Sequence, residues 1–197
     1  PNGPFAMLPM TGNRSNIVWS ENSELVPGYM ALNETAFLAE LQTRFGDWLG
    51  DIKLAGPRFA YPLSFSLAET YVSDRLVLVG DAGHAIHPIA GQGFNMGIRD
   101  VAALAEVLVD ATRLGLDIGA AGVLKDYERW RRFDNNLLAG VCDGLLRLFS
   151  NDEPVLRNAR DVGLAAVDKL VPAKKFLMRH AMGVVGDLPR LVRGEAL

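Results

Sequence analysis

The stretch "LVLVGDAGHAIHPIAGQGFNMG", residues 76–97, decides the fold class of this chain. Its opening apolar run, residues 76–79, is typical of a strand buried on both faces. Beyond the glycine-rich loop, apolar side chains recur at intervals of three and four residues. This spacing predicts a helix from about Phe94 to Thr112 that packs by one face. A strand, a loop and a helix in this order favour an α/β fold.

The loop carries residues suited to binding a ligand. Asp81 follows the strand directly, at the edge where open α/β sheets bind their ligands. An ionised carboxylate only accepts hydrogen bonds, so a ribose or ribityl chain is a natural partner. The helix start near Phe94 directs unpaired N–H groups at the loop and stabilises negative charge by about 0.3–1 kcal/mol when exposed. Glycines let the backbone approach a flat or phosphate-bearing ligand, and they stand at Gly80, Gly83, Gly91, Gly93 and Gly97.

On the residues alone, three other interpretations of this loop stay open. The run "GQGFNMG" fails the spacing of the dinucleotide fingerprint G-x-G-x-x-G and lies well beyond the strand. His84 and His87 form an H-x-x-H pair, but zinc sites usually need three or four ligands, so we predict no metal. The third interpretation is a glycine turn that binds nothing, in which Asp81 caps the helix.

The front of the chain is predicted to be rich in strands. Residues 1–20 predict a hairpin around a glycine turn. Residues 33–46 predict a helix with Asn33 as its N-cap. Residues 56–67 predict a strand because apolar and polar side chains alternate from Phe59 to Leu67, and Pro62 places this strand at an edge or a bulge.

The rear of the chain is predicted to be helical, with a long amphipathic helix over about 123–149 and one or two helices after Pro154. We interpret "ERWRR", residues 128–132, as a solvated face, and Cys142 as a small core residue. The amphipathic tail from Lys169 favours a plain helical cap over a contact with a membrane surface or a partner. An aromatic row is assigned to helix packing: Tyr127, Trp130 and Phe133.

Composition narrows the function classes. A net charge of −3 gives no electrostatic case for binding nucleic acid. One cysteine fits a reducing compartment, and no apolar run approaches the roughly 18 residues of a membrane span. We therefore expect a cytoplasmic protein, at most peripheral at the inner face of the membrane. The sequence opens without methionine in strand-like residues, and we expect a piece of a longer chain.

The central stretch closely resembles the second flavin-binding motif of the FAD-dependent aromatic hydroxylases of the para-hydroxybenzoate hydroxylase type. Within them it is most similar to the ubiquinone-biosynthesis hydroxylases. The motif G-D-A-x-H-x-x-x-P-x-x-G-x-G-x-N is matched across residues 80–95. The flanking segments "GPFAMLPMTGNRSNIVWS" and "FLMRHAMG" resemble other parts of the same enzymes. The matching residues are Gly80, Asp81, Ala82, His84, Pro88, Gly91, Gly93 and Asn95.

The resemblance implies a role for each matching position. Asp81, after Gly80, would hydrogen-bond the ribityl chain of FAD, and Pro88 would lie beside the isoalloxazine ring. No residue is assigned as catalytic with certainty, because His84 and His87 are more often loop-packing residues than acids or bases. The backbone that would face the flavin N1 and C2 carbonyl, with Asn95 close by, belongs to Gly91, Gln92, Gly93 and Phe94.

The resemblance also implies a fold and an organisation. We expect an α/β fold, α+β within this piece: a partial FAD/NAD(P)-binding domain, a partial substrate-domain sheet and a helical C-terminal region. The implied division is 1–67 for the substrate-binding part, 68–115 for the FAD-binding part and 116–197 for the helices. The family's first motif, G-x-G-x-x-G after a strand, and its middle D-G motif are absent here. This piece alone should therefore bind FAD weakly or not at all, be inactive, and self-associate.

The function implied is that of an FAD-dependent monooxygenase. It would hydroxylate an aromatic ring of a ubiquinone precursor, a polyprenylated phenol or quinone precursor, with O2 and with NAD(P)H as electron donor. A membrane-surface or biosynthetic-complex contact would suit such a substrate. Two alternatives stay open: a non-catalytic assembly module of a ubiquinone-biosynthesis complex, and a dehydrogenase that uses nicotinamide alone.

Overall fold

Two units make up the chain in the computed structural model, Pro1–Leu63 and Ser64–Leu197. The structure describes residues 3–88, 91–149, 153–183 and 185–197. The three-part division inferred from the sequence stays a prediction.

The first unit begins with the predicted hairpin. Strand β1 (Phe5–Met10) pairs antiparallel with β2 (Arg14–Trp19), so that Phe5 lies opposite Trp19. The turn between them contains Gly12 and Asn13, both in the left-handed backbone region that glycine and asparagine tolerate best. The hairpin is therefore confirmed, together with its turn.

Two helices follow the hairpin in the first unit. Helix α1 (Val26–Ala31) was not predicted, because six residues are too few to show a periodic pattern. Helix α2 (Glu34–Phe45) confirms the predicted helix: the Asn33 side chain accepts a hydrogen bond from the amide of Ala36 at 2.9 Å. The Trp19 ring packs near the aromatic rings of Tyr29 and Phe37 on these helices. The guanidinium of Arg44 lies over the same Trp19 ring.

The strand predicted over residues 56–67 is wrong for most of its length. Only Ser66–Leu67, strand β3, is extended and paired, antiparallel to His84–Ala85, which is strand β6. A strand needs a neighbouring strand with which its backbone can form hydrogen bonds. Within the described residues, no strand runs beside residues 56–65. Pro62 also lacks the N–H that such pairing would use.

After β3, the second unit forms a short hairpin that packs against the helices. Strand β4 (Val72–Ser73) pairs antiparallel with β5 (Leu76–Val77), and Arg75 takes a left-handed φ of 53° in their turn. The strand predicted over residues 76–79 is shorter than expected. It is also not buried on both faces, since Leu76 is 52% exposed.

Helices form the rest of the second unit. Helix α3 (Gly93–Arg113) and helix α4 (Ala121–Phe149) confirm the two predicted amphipathic helices and pack on each other. The tail forms the expected helices, α5 (Pro154–Lys169) and α6 (Val171–Ala181), and then a short 3-10 turn, Arg190–Arg193. One cluster of buried hydrophobic side chains in this unit is formed by Tyr71, Ala103 and Tyr127.

The face of α4 that packs was only partly predicted. Tyr127 is fully buried and Trp130 packs against the same core, but Phe133 is 71% exposed. At 3.6 residues per turn, Phe133 lies about 120° around the helix from Tyr127. Cys142 is buried as predicted, and burial raises the pKa of its thiol. No helix in the described ranges has both the length and the apolarity needed to cross a bilayer.

Candidate functional site

The candidate site begins where the chain turns sharply after Val79. Gly80 has a φ of 62°, in the left-handed region that favours glycine. Gly80–Ala82 form a 3-10 turn that is closed by a hydrogen bond from the amide of Gly83 to the carbonyl of Gly80, at 2.9 Å. A Cβ added to Gly80 would lie 3.7 Å from the Cα of Gly97, so the turn lies directly against the beginning of α3.

Asp81, in the middle of this turn, lies beside the beginning of α3. Its Oδ1 is 3.9 Å from the position that a Cβ on Gly93 would occupy. The Asp81 side chain is exposed, and its carboxylate has no hydrogen-bond partner among the residues that the structure describes. An ionised carboxylate in this position can accept hydrogen bonds from the hydroxyl groups of a ligand.

The beginning of α3 adds backbone donors to the site. Gln92 precedes the helix without a side-chain cap, and its carbonyl accepts the first helical bond, from the amide of Met96 at 2.9 Å. The amides of residues 93–95 therefore have no α-helical partner. No acidic side chain occupies the first turn, which leaves the positive end of the helix available to a ligand.

The surface next to these donors is open. A Cβ on Gly91 would meet nothing within 4 Å, and one on Gly93 would meet only the Asp81 carboxylate. Pro88 and Phe94 are exposed, and the amide of Gly91 donates to the carbonyl of Pro88 at 2.9 Å. The result is a shelf of bare backbone between exposed apolar side chains, suited to a flat ring. Residues 89 and 90 of the motif lie outside the described residues.

The other predicted site residues differ in their burial and in the surface that they face. Asn95 lies on the first turn of α3, where its Nδ2 donates to the Gln92 side chain at 3.3 Å. His87 is partly buried, whereas His84 is fully buried and faces Asp100 rather than the open surface. The described residues contain no group of three or more side chains that could hold a metal ion.

A buried polar cluster behind the turn was missed from the sequence. Asp100 on α3 contacts His84, and it also accepts hydrogen bonds from Arg131 and Asn135 of α4. The interpretation of residues 128–132 as a solvated face is wrong for Arg131, which is 2% exposed because Asp100 neutralises it. Arg131 and Asn135 follow Tyr127 at intervals of four, and that spacing was the available signal for their burial.

The cluster has a defined charge state. Burial alone would raise the pKa of Asp100, but hydrogen bonds from His84, Arg131 and Asn135 outweigh it and hold this pKa below its ordinary value. Burial, and then the Asp100 charge, raise the pKa of Tyr127, whose hydroxyl donates to the carbonyl of Leu78 at 3.0 Å. Asp100 is therefore an anion that only accepts hydrogen bonds.

Comparison with known proteins agrees with the resemblance to flavin-binding hydroxylases. The sequence model described as "FAD binding domain" matches residues 2–133. The ubiquinone hydroxylase UbiL of Rhodospirillum rubrum is 54% identical over 100% of this chain and 47% of its own length. The 3-demethoxyubiquinol 3-hydroxylase of Escherichia coli is 38% identical over 93% of this chain and 47% of its own length.

Solved structures confirm the fold. PqsL from Pseudomonas aeruginosa, described as a probable FAD-dependent monooxygenase, superposes with a TM-score of 0.62 at 24% identity. The match covers 73% of this chain and 40% of PqsL. The predicted mixed α/β fold, a partial FAD-binding domain, is thus confirmed. The chain spans about half the length of the curated relatives it matches.

Proposed function

Because the chain belongs to the FAD-binding domain family, we propose that the whole protein is an FAD-dependent monooxygenase that hydroxylates an aromatic ring of a ubiquinone precursor. The observation that carries this proposal is the position of Asp81, whose carboxylate lies, with no partner among the described residues, beside the bare start of α3. Two of the chain's relatives, a ubiquinone hydroxylase and a 3-demethoxyubiquinol 3-hydroxylase, support the substrate class.

The residues present fit FAD. Asp81 offers acceptors for the ribityl hydroxyls, and at Gly91 and Gly93 the backbone is bare because neither residue carries a Cβ. Pro88 would lie beside the ring, with Asn95 close by. When bound, FAD supplies the redox chemistry, with NAD(P)H as electron donor and O2 as oxidant. The chain's part is to fix the ribityl chain and to direct the amides of α3 at the ring edge, where they stabilise negative charge.

No residue of this chain is assigned as a catalytic acid or base. His84 is fully buried behind the turn, and its Nε2 is occupied by Asp100, so it cannot reach a substrate on the open surface. His87 is partly buried and is assigned to loop packing. We propose that the first unit belongs to the substrate-binding part of the whole protein.

We expect this chain by itself to bind FAD weakly or not at all and to be inactive, since it spans about half the length of the curated relatives it matches. Phe94, Ile98 and Val101 follow one another along α3 and are all exposed, which leaves an apolar stripe next to the candidate site. We expect this stripe to drive self-association of the isolated chain. A polyprenylated substrate would suit a protein that contacts the inner face of the membrane peripherally.

Expression of the whole protein tests the proposal. We expect a yellow protein with a flavin absorption band and NAD(P)H oxidation that a phenolic ubiquinone precursor stimulates. A well-folded whole protein that contains no flavin and takes up none would overturn the proposal. That outcome would favour the alternative, a non-catalytic module of a ubiquinone-biosynthesis complex.

A further inference from the structure

One buried carboxylate, that of Asp100, joins the turn that carries Asp81 to two helices. Its Oδ2 accepts a hydrogen bond from the amide of Gly80 at 3.1 Å and lies 2.5 Å from Nε2 of His84. The Asp100 side chain is fully buried. Gly80 immediately precedes Asp81, so the position of the Asp81 backbone depends on this contact.

The other carboxylate oxygen of Asp100 contacts α4. Its Oδ1 accepts from Nε of Arg131 at 2.8 Å and from Nδ2 of Asn135 at 3.0 Å, and Arg131 also donates to Asn135 at 2.9 Å. The two ionised groups cancel, which makes their burial tolerable. Asn135 lies beyond residue 133, where the match to the FAD-binding domain ends.

His84 depends on Asp100 for its orientation. Because the Asp100 anion only accepts, Nε2 of His84 carries the proton. Its Nδ1 is buried and has no hydrogen-bond partner among the described residues. The imidazole is therefore held on one side only, and the short strand β6 that begins at His84 is fixed to α3 through Asp100.

We propose that Asp100 is the positioning residue of the flavin site, and that α4 holds Asp81 in place through Arg131 and Asn135. This inference rests on the proposed function. It assigns a role in cofactor binding to α4, whose side chains in this cluster lie behind the turn rather than on the open surface. Asp100 itself touches no ligand; it acts through Gly80 and His84.

The test uses the whole protein with Asp100→Asn, a change that keeps the side-chain shape. One oxygen can still accept from α4, but the new amide group faces two donors, the amide of Gly80 and Nε2 of His84. The dissociation constant of FAD should rise about tenfold or more, which is the scale of one charge-assisted hydrogen bond. Hydrogen–deuterium exchange of the peptide covering residues 76–88 should accelerate in the apoprotein.

Arg190→Gln is the matched control. It removes an ion pair with Glu106 and Asp110 at the far end of α3 and leaves the flavin motif untouched. At a temperature where all variants are folded, it should leave both the FAD dissociation constant and the exchange of residues 76–88 at wild-type values. Equal effects of the two changes would mean a purely structural role for Asp100 and would overturn the inference.

A milder variant keeps the test decisive if Asp100→Asn does not fold. Asn135→Ala removes one donor from Oδ1 and should weaken FAD binding about threefold or more. If the wild-type protein binds FAD and neither variant changes its affinity or the exchange of residues 76–88, the inference is wrong and the proposed function stands. If the wild-type protein binds no FAD, the proposed function itself fails.

Discussion

The substitution Arg131→Met tests the buried ion pair between α3 and α4. Arg131 is 2% exposed and its partner Asp100 is fully buried, so the change removes one member of a pair from which water is excluded. Methionine keeps much of the volume and the helix propensity of arginine. The loss should therefore come from charge and hydrogen bonding rather than from a cavity.

The expected magnitude follows from what stays around Asp100. Breaking a buried pair costs about 3–5 kcal/mol because one charge is left without its partner. Asp100 still accepts from the amide of Gly80, from His84 and from Asn135, so the lower end applies. We expect the free energy of unfolding to fall by about 3 kcal/mol near neutral pH.

The assay is urea-induced unfolding of the whole protein, followed by far-ultraviolet circular dichroism. Arg129→Met is the control: Arg129 lies on the same helix, is 79% exposed and pairs only with Asp126 among the described residues. It should change stability by less than about 0.5 kcal/mol. Without Arg131 the pKa of Asp100 rises. The difference in free energy of unfolding between the wild type and Arg131→Met should therefore shrink as the pH falls and Asp100 becomes protonated.

Two results would refute this reasoning. An Arg131→Met protein within about 1 kcal/mol of wild type would show that the pair contributes no more than a surface ion pair. A deficit of the expected size that stays constant from neutral to acidic pH would show that packing, not the Asp100 charge, is lost.

Three further predictions follow from single residues. Gly80→Ala and Gly115→Ala both force alanine into a left-handed φ, but only Gly80 lies in the turn of the candidate site. Each should lower the melting temperature, measured by differential scanning calorimetry, and only Gly80→Ala should weaken FAD binding. Because the pKa of Asp100 is lowered in the folded state, its contribution to stability is complete above about pH 4 and is lost as the pH falls through the folded value. Asp100→Asn should flatten the acid limb of the stability profile, and an unchanged slope would contradict this. Tyr127→Phe should cost about 1 kcal/mol at neutral pH, since the carbonyl of Leu78 loses its donor. The pKa of Tyr127 is raised, so its contribution is present below about pH 10 and fades above it; the gap between wild type and Tyr127→Phe in urea unfolding should narrow there.

Local patterns determined most of what could be predicted. Helices α3 and α4 were visible because a repeated apolar spacing needs no knowledge of the partner. The cap at Asn33 depends on an amide only three residues away. By contrast, the alternation that starts at Phe59 is typical of a strand, but among the described residues no strand pairs with residues 56–65. The local sequence cannot show whether such a pairing partner exists.

In the candidate site, too, residues close together in sequence could be predicted and contacts between distant residues could not. The exposed elements, Asp81 and the glycines before α3, lie in one continuous stretch and could be identified from it. The Asp100 cluster joins residues of the turn, of α3 and of α4, and the burial of Arg131 depends on a carboxylate 31 positions away. A charged residue is mostly exposed unless it is paired, so Arg131 was assigned to solvent.

The central claim is that Asp81 holds the ribityl chain of FAD, and titration of the whole apoprotein with FAD tests it most directly. Asp81→Ala should raise the dissociation constant about tenfold or more, because one charge-assisted hydrogen bond is lost. Asp126→Asn, an exposed aspartate on α4, should bind FAD like the wild type. Normal FAD affinity in Asp81→Ala, with a wild-type protein that binds FAD, would contradict the claim.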